Sequence, residues 1–166
     1  MDAQSANQKS FKHLQESLRE TLSIATEFGE LLLNEKKQLT SKNRDEINAL
    51  LPQKELLIDQ LAGMQGSILK ICESFGIEPS YVALRAYLYR SGISEAENVL
   101  KDWTALKNVL IKNQALNKTN EAIVKELLRR NQIKRQIVHN LARETDTYSA
   151  QGQQSDYSKQ GWVEQV

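Results

Sequence analysis

Residues 11–39 of the chain read FKHLQESLRETLSIATEFGELLLNEKKQL. Apolar or small side chains return there at alternating spacings of three and four, the heptad pattern that keeps one stripe of a helix against a partner helix. We call this stripe the first seam. It consists of Phe11, Leu14, Leu18, Thr21, Ala25, Phe28, Leu32, Glu35 and Leu39, and Glu35 is its one charged member.

Residues 47–75, INALLPQKELLIDQLAGMQGSILKICESF, repeat the pattern and form the second seam. Its members are Ile47, Leu50, Lys54, Leu57, Leu61, Met64, Ile68, Ile71 and Phe75, again with one charge, Lys54. The stretch between the seams is polar, and Asn43 followed by Glu46 is the pattern of a capping box that opens a helix. The two seams therefore predict an antiparallel helical hairpin that turns near residues 43–45.

The charged seam members indicate the register of this hairpin. In an antiparallel pair the numbers of facing residues have a constant sum, and a sum of 89 places Glu35 opposite Lys54. The same sum pairs Leu39 with Leu50, Leu32 with Leu57, Phe28 with Leu61 and Leu14 with Phe75. A slip of one heptad would leave Glu35 facing Leu61 or Ile47, and an unpaired buried charge costs about 3–5 kcal/mol. We predict that the Glu35–Lys54 pair selects the register, the alternative being that both side chains reach water and specify little.

Pro52 lies between two layers of the second seam. Inside a helix it removes one backbone hydrogen bond, so we predict a kink there. The alternative is that the second helix begins at Pro52 after a looser turn.

The second half of the chain predicts two more helices. Ser80 can cap a short helix over 81–91 that stops at Ser91 and Gly92, and Ser94 with Glu97 can open a long helix over 95–144. The early seam of the long helix is Val99, Trp103, Leu106 and Leu110, with Trp103 as its anchor on the hairpin. The expected fold is all-α, a hairpin over 8–75 packed with a third long helix as a three- to four-helix bundle. It forms one domain over 1–144, with a flexible tail over 145–166.

Three amides, Asn113, Asn117 and Asn120, occupy the next seam positions of the long helix. An ordinary coiled-coil core cannot hold them, because each desolvated amide needs a hydrogen-bond partner. The simplest interpretation is that the helix leaves the bundle here and that the amides are solvated.

Beyond the amides the helix is amphipathic and basic. Its apolar residues are Ile123, Val124, Leu127, Leu128, Ile133, Ile137, Val138 and Leu141, beside six Lys and Arg and three Glu over 121–144. Such a helix can be a core element, a partner-binding helix, a membrane-surface helix or a nucleic-acid binder. The absence of Trp and Phe from 104–144 weakens the membrane interpretation, and the formal net charge of +1 weakens the nucleic-acid one.

Catalytic and metal-binding patterns do not occur in the sequence. The single cysteine, Cys72, can form neither an internal disulfide nor a zinc site, and beside Ile71 it is typical of a packing residue. Neither histidine, His13 or His139, has a partner at ligand spacing, and phosphate loops and nucleophile elbows are missing. We therefore expect a non-enzymatic protein without a cofactor, in a reducing compartment, with no signal peptide and no membrane-spanning segment.

Four motifs, in this order along the chain, resemble the FlgN-type flagellar export chaperones. They are LLLNEKKQL at 31–39 followed by Arg44-Asp45, KELLIDQL at 54–61, LNKTNEAI at 116–123, and TYSAQGQ at 147–153, which is similar to the family's Tyr-x-x-x-Gly-Gln ending. Glu121, where the family commonly has Gly, and Pro52 depart from its pattern.

The resemblance implies a function. Such chaperones bind the C-terminal helices of the hook–filament junction proteins FlgK and FlgL in the cytoplasm and deliver them to the type III export gate at the inner membrane, which has an FlhA-type component. The family's C-terminal helix binds the substrate, which here implies Ile123, Leu127, Leu128, Ile137, Val138 and Leu141, and Tyr148 would dock at the export gate. Two alternatives are a generic helical-bundle adaptor and a basic-helix nucleic-acid binder, although we expect neither nucleic-acid binding nor stable membrane insertion.

Overall fold

The computed structural model describes residues 2–93 and 95–146, with side chains over 9–93 and 95–140. Over these residues the chain forms four helices and no strand: α1 (Asp2–Ser41), α2 (Arg44–Ser74), α3 (Tyr81–Arg90) and α4 (Ala96–Asp146). The predicted all-α fold is confirmed. The chain divides into two compact units, Met1–Ile123 and Val124–Val166. The predicted tail lies outside the described residues, apart from 145 and 146 at the end of α4.

The turn between α1 and α2 consists of Lys42 and Asn43, at the start of the range predicted for it. Lys42 has the left-handed φ of 58°, Lys42 N donates to the Leu39 carbonyl at 3.3 Å and Asn43 N donates to the Gln38 carbonyl at 3.1 Å. These two bonds are the Schellman arrangement that ends a helix. Asn43 then caps α2, because its Oδ1 accepts from Glu46 N at 3.4 Å. One residue therefore ends α1 and the next opens α2.

Both seams lie inside the hairpin. Every member of the two seams is buried or half-buried. The second helix begins at Arg44 and not at Pro52, which lies inside α2. The alternative start is therefore wrong, and the kink stays a prediction.

The short helix α3 is fixed by one buried face. Ser80 caps it, since Ser80 Oγ accepts from Ala83 N at 3.2 Å, and Leu84 and Leu88 are fully buried. The ring of Tyr87 stacks on that of Phe75 with centroids 4.7 Å apart. The other face of α3 stays accessible.

The start of α4 packs much as its seam predicts. Val99 and Leu106 are buried, and Trp103 packs half-buried against the same core. Leu110, expected in the seam, is instead 41% exposed. Val109 packs against the core in its place, because a helix of 3.6 residues per turn brings 109 closer than 110 to the face of the buried residues 113 and 120. The proposed cap Ser94 lies outside the described residues.

A cluster of buried apolar residues lies at one end of the hairpin, where all four helices meet. We call it the apolar end; it comprises Phe11, Leu14, Leu18, Ala25, Ile68, Ile71, Cys72, Leu84, Leu88, Ala96, Val99, Leu100 and Leu106. Here the early part of α1 packs with the late part of α2, α3 and the start of α4. Over the described residues, no helix is both long and apolar enough to cross a membrane.

Candidate binding surface

The second unit exposes large apolar side chains on α4. Leu128 is 55% exposed, Ile137 53% and Val138 66%, and Leu127 is half-buried. Isolated exposed apolar side chains are ordinary on a protein surface, whereas several along one helix form a candidate contact surface. These four residues are among the six that the family resemblance implies in substrate binding.

Helix geometry defines the face that these residues share. With about 100° of rotation per residue, Leu127, Ile137 and Val138 lie within an arc of about 100°. Arg130 and Lys134 lie in the same arc, between the apolar residues, and Leu128 lies on its flank, about 100° from Leu127. We call the arc of Leu127, Arg130, Lys134, Ile137 and Val138 the client face. The two cations are thus inside the apolar stripe and do not form a rim around it.

An ion-pair cluster at Glu126 orders the start of this surface. Arg129 donates to both carboxylate oxygens of Glu126, at 2.9 and 3.0 Å, and Arg130 Nε donates to Oε1 at 2.6 Å. Hydrogen bonds from Arg129 and then Arg130 lower the pKa of Glu126 to about 2, and the same contact raises the pKa of Arg129. Glu126 therefore stays ionised at neutral pH and restrains Arg130 within the client face.

The remaining implied residues are placed as follows. Ile123 is half-buried and is the last residue of the first unit. Leu141 lies on α4, in the part whose side chains are not described, and Tyr148 lies outside the described residues.

Glu35 and Lys54 meet in the structure, in a layer that also includes Asn120. Lys54 Nζ donates to both carboxylate oxygens of Glu35 at 2.9 Å, a contact with the register sum of 89. Asn120 Nδ2 donates to Glu35 Oε2 at 2.7 Å and to the Leu32 carbonyl at 2.9 Å. Asn120 is only 2% exposed. One carboxylate therefore joins α1, α2 and α4.

A second amide layer lies two helical turns away. Asn113 is 4% exposed, and its Nδ2 donates to the Ala25 carbonyl at 2.6 Å. A Cβ at Gly29 would lie 2.6 Å from Asn113 Oδ1, so the glycine makes the slot that the amide enters. The bonds of Asn113 and Asn120 both span 88 residues, which shows that α4 runs parallel to α1 in this unit.

The interpretation of solvated amides is wrong for Asn113 and Asn120. Their donors reach carbonyl groups of α1, so each buried amide has a hydrogen-bond partner. The acceptor Asn120 Oδ1 is buried without a partner among the described residues. Asn117 is half-buried and donates to Glu121 Oε1 at 2.7 Å. The matching sequence signal was the spacing of seven between Asn113 and Asn120, which equals the spacing between Ala25 and Leu32.

The described residues show little that could support chemistry. No group of three or more His, Cys, Asp or Glu among them could hold a metal ion. Cys72 is fully buried at the apolar end, and burial raises the pKa of its thiol. It is a packing residue, as the sequence predicted, and not a reactive thiolate.

Comparison with known proteins gives one match. The family model described as FlgN protein matches residues 1–156, nearly the whole chain and both compact units. Neither the comparison with curated proteins nor that with solved structures returned a match. The chain therefore belongs to the FlgN family, a family of flagellar chaperones.

Proposed function

We propose that this protein is a cytoplasmic export chaperone that binds the C-terminal helices of FlgK and FlgL. The binding surface is the part of α4 that lies in the second compact unit. The observation that carries the proposal is the exposure of Leu128, Ile137 and Val138 on one helix. A chaperone for amphipathic segments needs apolar side chains that remain available, and the client helix would bury its own apolar stripe on them.

The cations in the client face add a condition on the client. Arg130 and Lys134 lie between the apolar contacts, so a bound helix would cover them. Arg130 already has Glu126 as its partner, whereas Lys134 would be covered without one, which is costly. We therefore infer that the client helix places an acidic side chain, or carbonyl groups at its C-terminal end, opposite Lys134.

Calorimetry with a FlgK C-terminal peptide tests this proposal. Leu127→Asp together with Ile137→Asp is expected to abolish binding, while helicity and Tm stay near those of the wild type. Gln132→Asp with Gln136→Asp is the matched control, because it adds the same charge on the opposite side of the helix and should keep binding. A collapse of Tm in the first variant would instead make this stripe a core element, and the binding surface would then lie elsewhere.

The same peptides, together with a pull-down, distinguish the chaperone function from that of a generic helical adaptor. If neither FlgK nor FlgL peptides bind the wild type, and a pull-down from a flagellated cell recovers other partners, the adaptor function replaces the proposed one. Steeply salt-dependent DNA binding would instead support a nucleic-acid binder.

We also propose that Tyr148 docks the loaded chaperone at the export gate, on an FlhA-type component, during a transient visit to the inner membrane. The family resemblance of the TYSAQGQ ending supports this role. Tyr148→Ala should keep FlgK binding in calorimetry and reduce FlgK secretion. Tyr148→Phe keeps the ring and is the matched variant, so secretion that falls equally in both would point to the hydroxyl group.

A further inference from the structure

The first unit has a second exposed surface, on the side of α3 that does not face the core. Tyr81, Arg85 and Tyr89 follow each other at spacings of four and so lie on one side of this ten-residue helix. Tyr81 is 39% exposed and Tyr89 57%. Two of the five tyrosines of the chain therefore lie on one small exposed face.

A groove of about 580 Å³ runs between this face and the start of α4. We call it the α3–α4 groove. The α4 side contributes Glu97, Leu100, Lys101, Thr104, Ala105 and Asn108, and Leu100 is 6% exposed. The groove thus combines an apolar residue from the core with aromatic and polar side chains at its edges, which is how protein-binding sites are generally built.

The aromatic side of the groove is held in place before any partner binds. Leu84 and Leu88 anchor the opposite face of α3 in the core, and the guanidinium carbon of Arg85 lies 5.7 Å from the centroid of the Tyr89 ring. This cation–π contact restrains both side chains. Tyrosine and arginine carry much of the free energy of binding at interfaces, and restrained side chains lose less entropy when a partner arrives.

The charge of the groove selects an acidic partner. Arg85 and Lys101 take part in none of the ion pairs found among the described residues. Glu97, the one acid in the groove, lies in the first turn of α4, where a carboxylate stabilises the positive end of the helix dipole. The two cations are therefore available to a carboxylate of a bound segment.

We propose that the α3–α4 groove is a second docking site for the client, and that it takes an acidic segment carrying apolar or aromatic side chains. This inference rests on the proposed chaperone function. The client would then be held at two surfaces of one chain, the groove and the client face. Two linked contacts raise the overall affinity well above that of either one, provided that the client can engage both together.

The test is a titration of the FlgK C-terminal region, long enough to contain both segments, against the full-length chaperone. Arg85→Glu with Tyr89→Ala should weaken the Kd by about tenfold or more, since it removes two residues of the types that dominate interfaces. Tm should stay near that of the wild type because both side chains are exposed. Val82→Ala is the matched control: Val82 lies on α3 with 76% exposure but does not line the groove, and its Kd should not change.

Three further measurements make the outcome decisive. Arg85→Lys keeps the charge and should recover part of the affinity, and added salt should narrow the gap between the wild type and the Arg85→Glu variant. A photo-crosslinking residue at position 108, at the edge of the groove, should capture an acidic part of the client. This measurement needs no destabilising substitution.

The failures of the two proposals are distinguishable. If the Arg85→Glu, Tyr89→Ala variant binds the client with the Kd of the wild type and position 108 gives no crosslink, the groove is not a docking site. The proposal for the client face is unaffected by that result. Wild-type protein that binds neither FlgK nor FlgL overturns the proposed function and the groove with it. A crosslink that maps to a basic part of the client would overturn the assigned chemistry.

Discussion

The part of α4 in the first unit meets the hairpin in two different ways. Over Val99 to Leu106 the contact is mainly apolar, with one ion pair at its edge between Arg19 and Asp102, and α3 joins it. At Asn113 and Asn120 the contact consists instead of amide hydrogen bonds to α1. Hydrophobic burial is strong but has little direction, so it would tolerate a helix that slides. A hydrogen bond between buried groups has a fixed geometry and is costly to leave unmade. The apolar end therefore contributes most of the stability of the contact between α4 and the hairpin, and the amide layers define where α4 lies along it.

Removing volume at the apolar end should have the largest effect. Leu88 is fully buried, so Leu88→Ala should lower the free energy of unfolding by about 4 kcal/mol, the scale for a leucine cavity. Leu33→Ala is the control, because Leu33 is 55% exposed and should change the value by no more than about 0.5 kcal/mol. Urea denaturation measures both. A loss under about 1 kcal/mol for Leu88→Ala would place the main stability elsewhere.

Disrupting the layer of Glu35, Lys54 and Asn120 should give the next largest loss of stability. Glu35→Leu removes the acceptor of Lys54 Nζ and one acceptor of Asn120 Nδ2. We expect a loss of about 3 kcal/mol, near the lower limit for a broken buried pair because the Lys54 side chain keeps 20% exposure. Glu35→Leu with Lys54→Leu should recover most of it. If the single variant is as stable as the double in the same denaturation, the pair does not select the register.

Closing the glycine slot tests the amide layers more gently. Gly29→Ala would place a Cβ 2.6 Å from Asn113 Oδ1, and a disturbed buried amide outweighs the helix propensity of alanine, for a net loss of about 1 kcal/mol. Gly63→Ala is the matched control, since its Cβ would meet nothing within 4 Å, and it should stabilise the protein by about 0.5–1 kcal/mol. Adding Asn113→Ala to Gly29→Ala should restore stability. If Gly29→Ala is as stabilising as Gly63→Ala, the slot has no energetic role.

The turn beside the charged layer should give the smallest change. Lys42 has the left-handed φ of 58° at the end of α1, a conformation that glycine adopts without a steric penalty. Lys42→Gly should therefore raise the free energy of unfolding by about 0.5–1 kcal/mol, and its thermal midpoint should rise accordingly. Lys37→Gly, inside the same helix, is the contrasting variant and should lose about 1 kcal/mol. Destabilisation by Lys42→Gly would show that the lysine side chain contributes to the turn.

Sequence reasoning reached the parts of the fold that local patterns encode. The heptad spacing located α1 and α2, and the lone charges of the two seams pointed to the Glu35–Lys54 contact. The same reasoning missed the partners of Asn113 and Asn120, since an amide and a main-chain carbonyl 88 residues earlier leave no trace in a local window. Every residue has a carbonyl, so only the matched spacing and Gly29 could have pointed to these bonds.

The candidate sites were likewise predictable only where a local sequence pattern encodes them. The apolar residues of the second unit are visible as a helical stripe, and helix periodicity alone places Arg130 and Lys134 within it. The α3–α4 groove could not be predicted, because it needs two helices to meet and one face of α3 to be used in the core. Tyr81, Arg85 and Tyr89 at spacings of four were the available signal, and a ten-residue helix gives that spacing little weight.

The layer of Glu35, Lys54 and Asn120 also has a consequence for synthesis on the ribosome. Glu35 and Lys54 are close in the chain and can meet as soon as the hairpin emerges, whereas Asn120 follows Glu35 by 85 residues. At about 5–20 residues per second, the carboxylate waits roughly 4–17 s for its third partner. During that interval the nascent hairpin exposes the surface that α4 will later cover. The protein is therefore itself able to make unwanted contacts for some seconds of each round of translation.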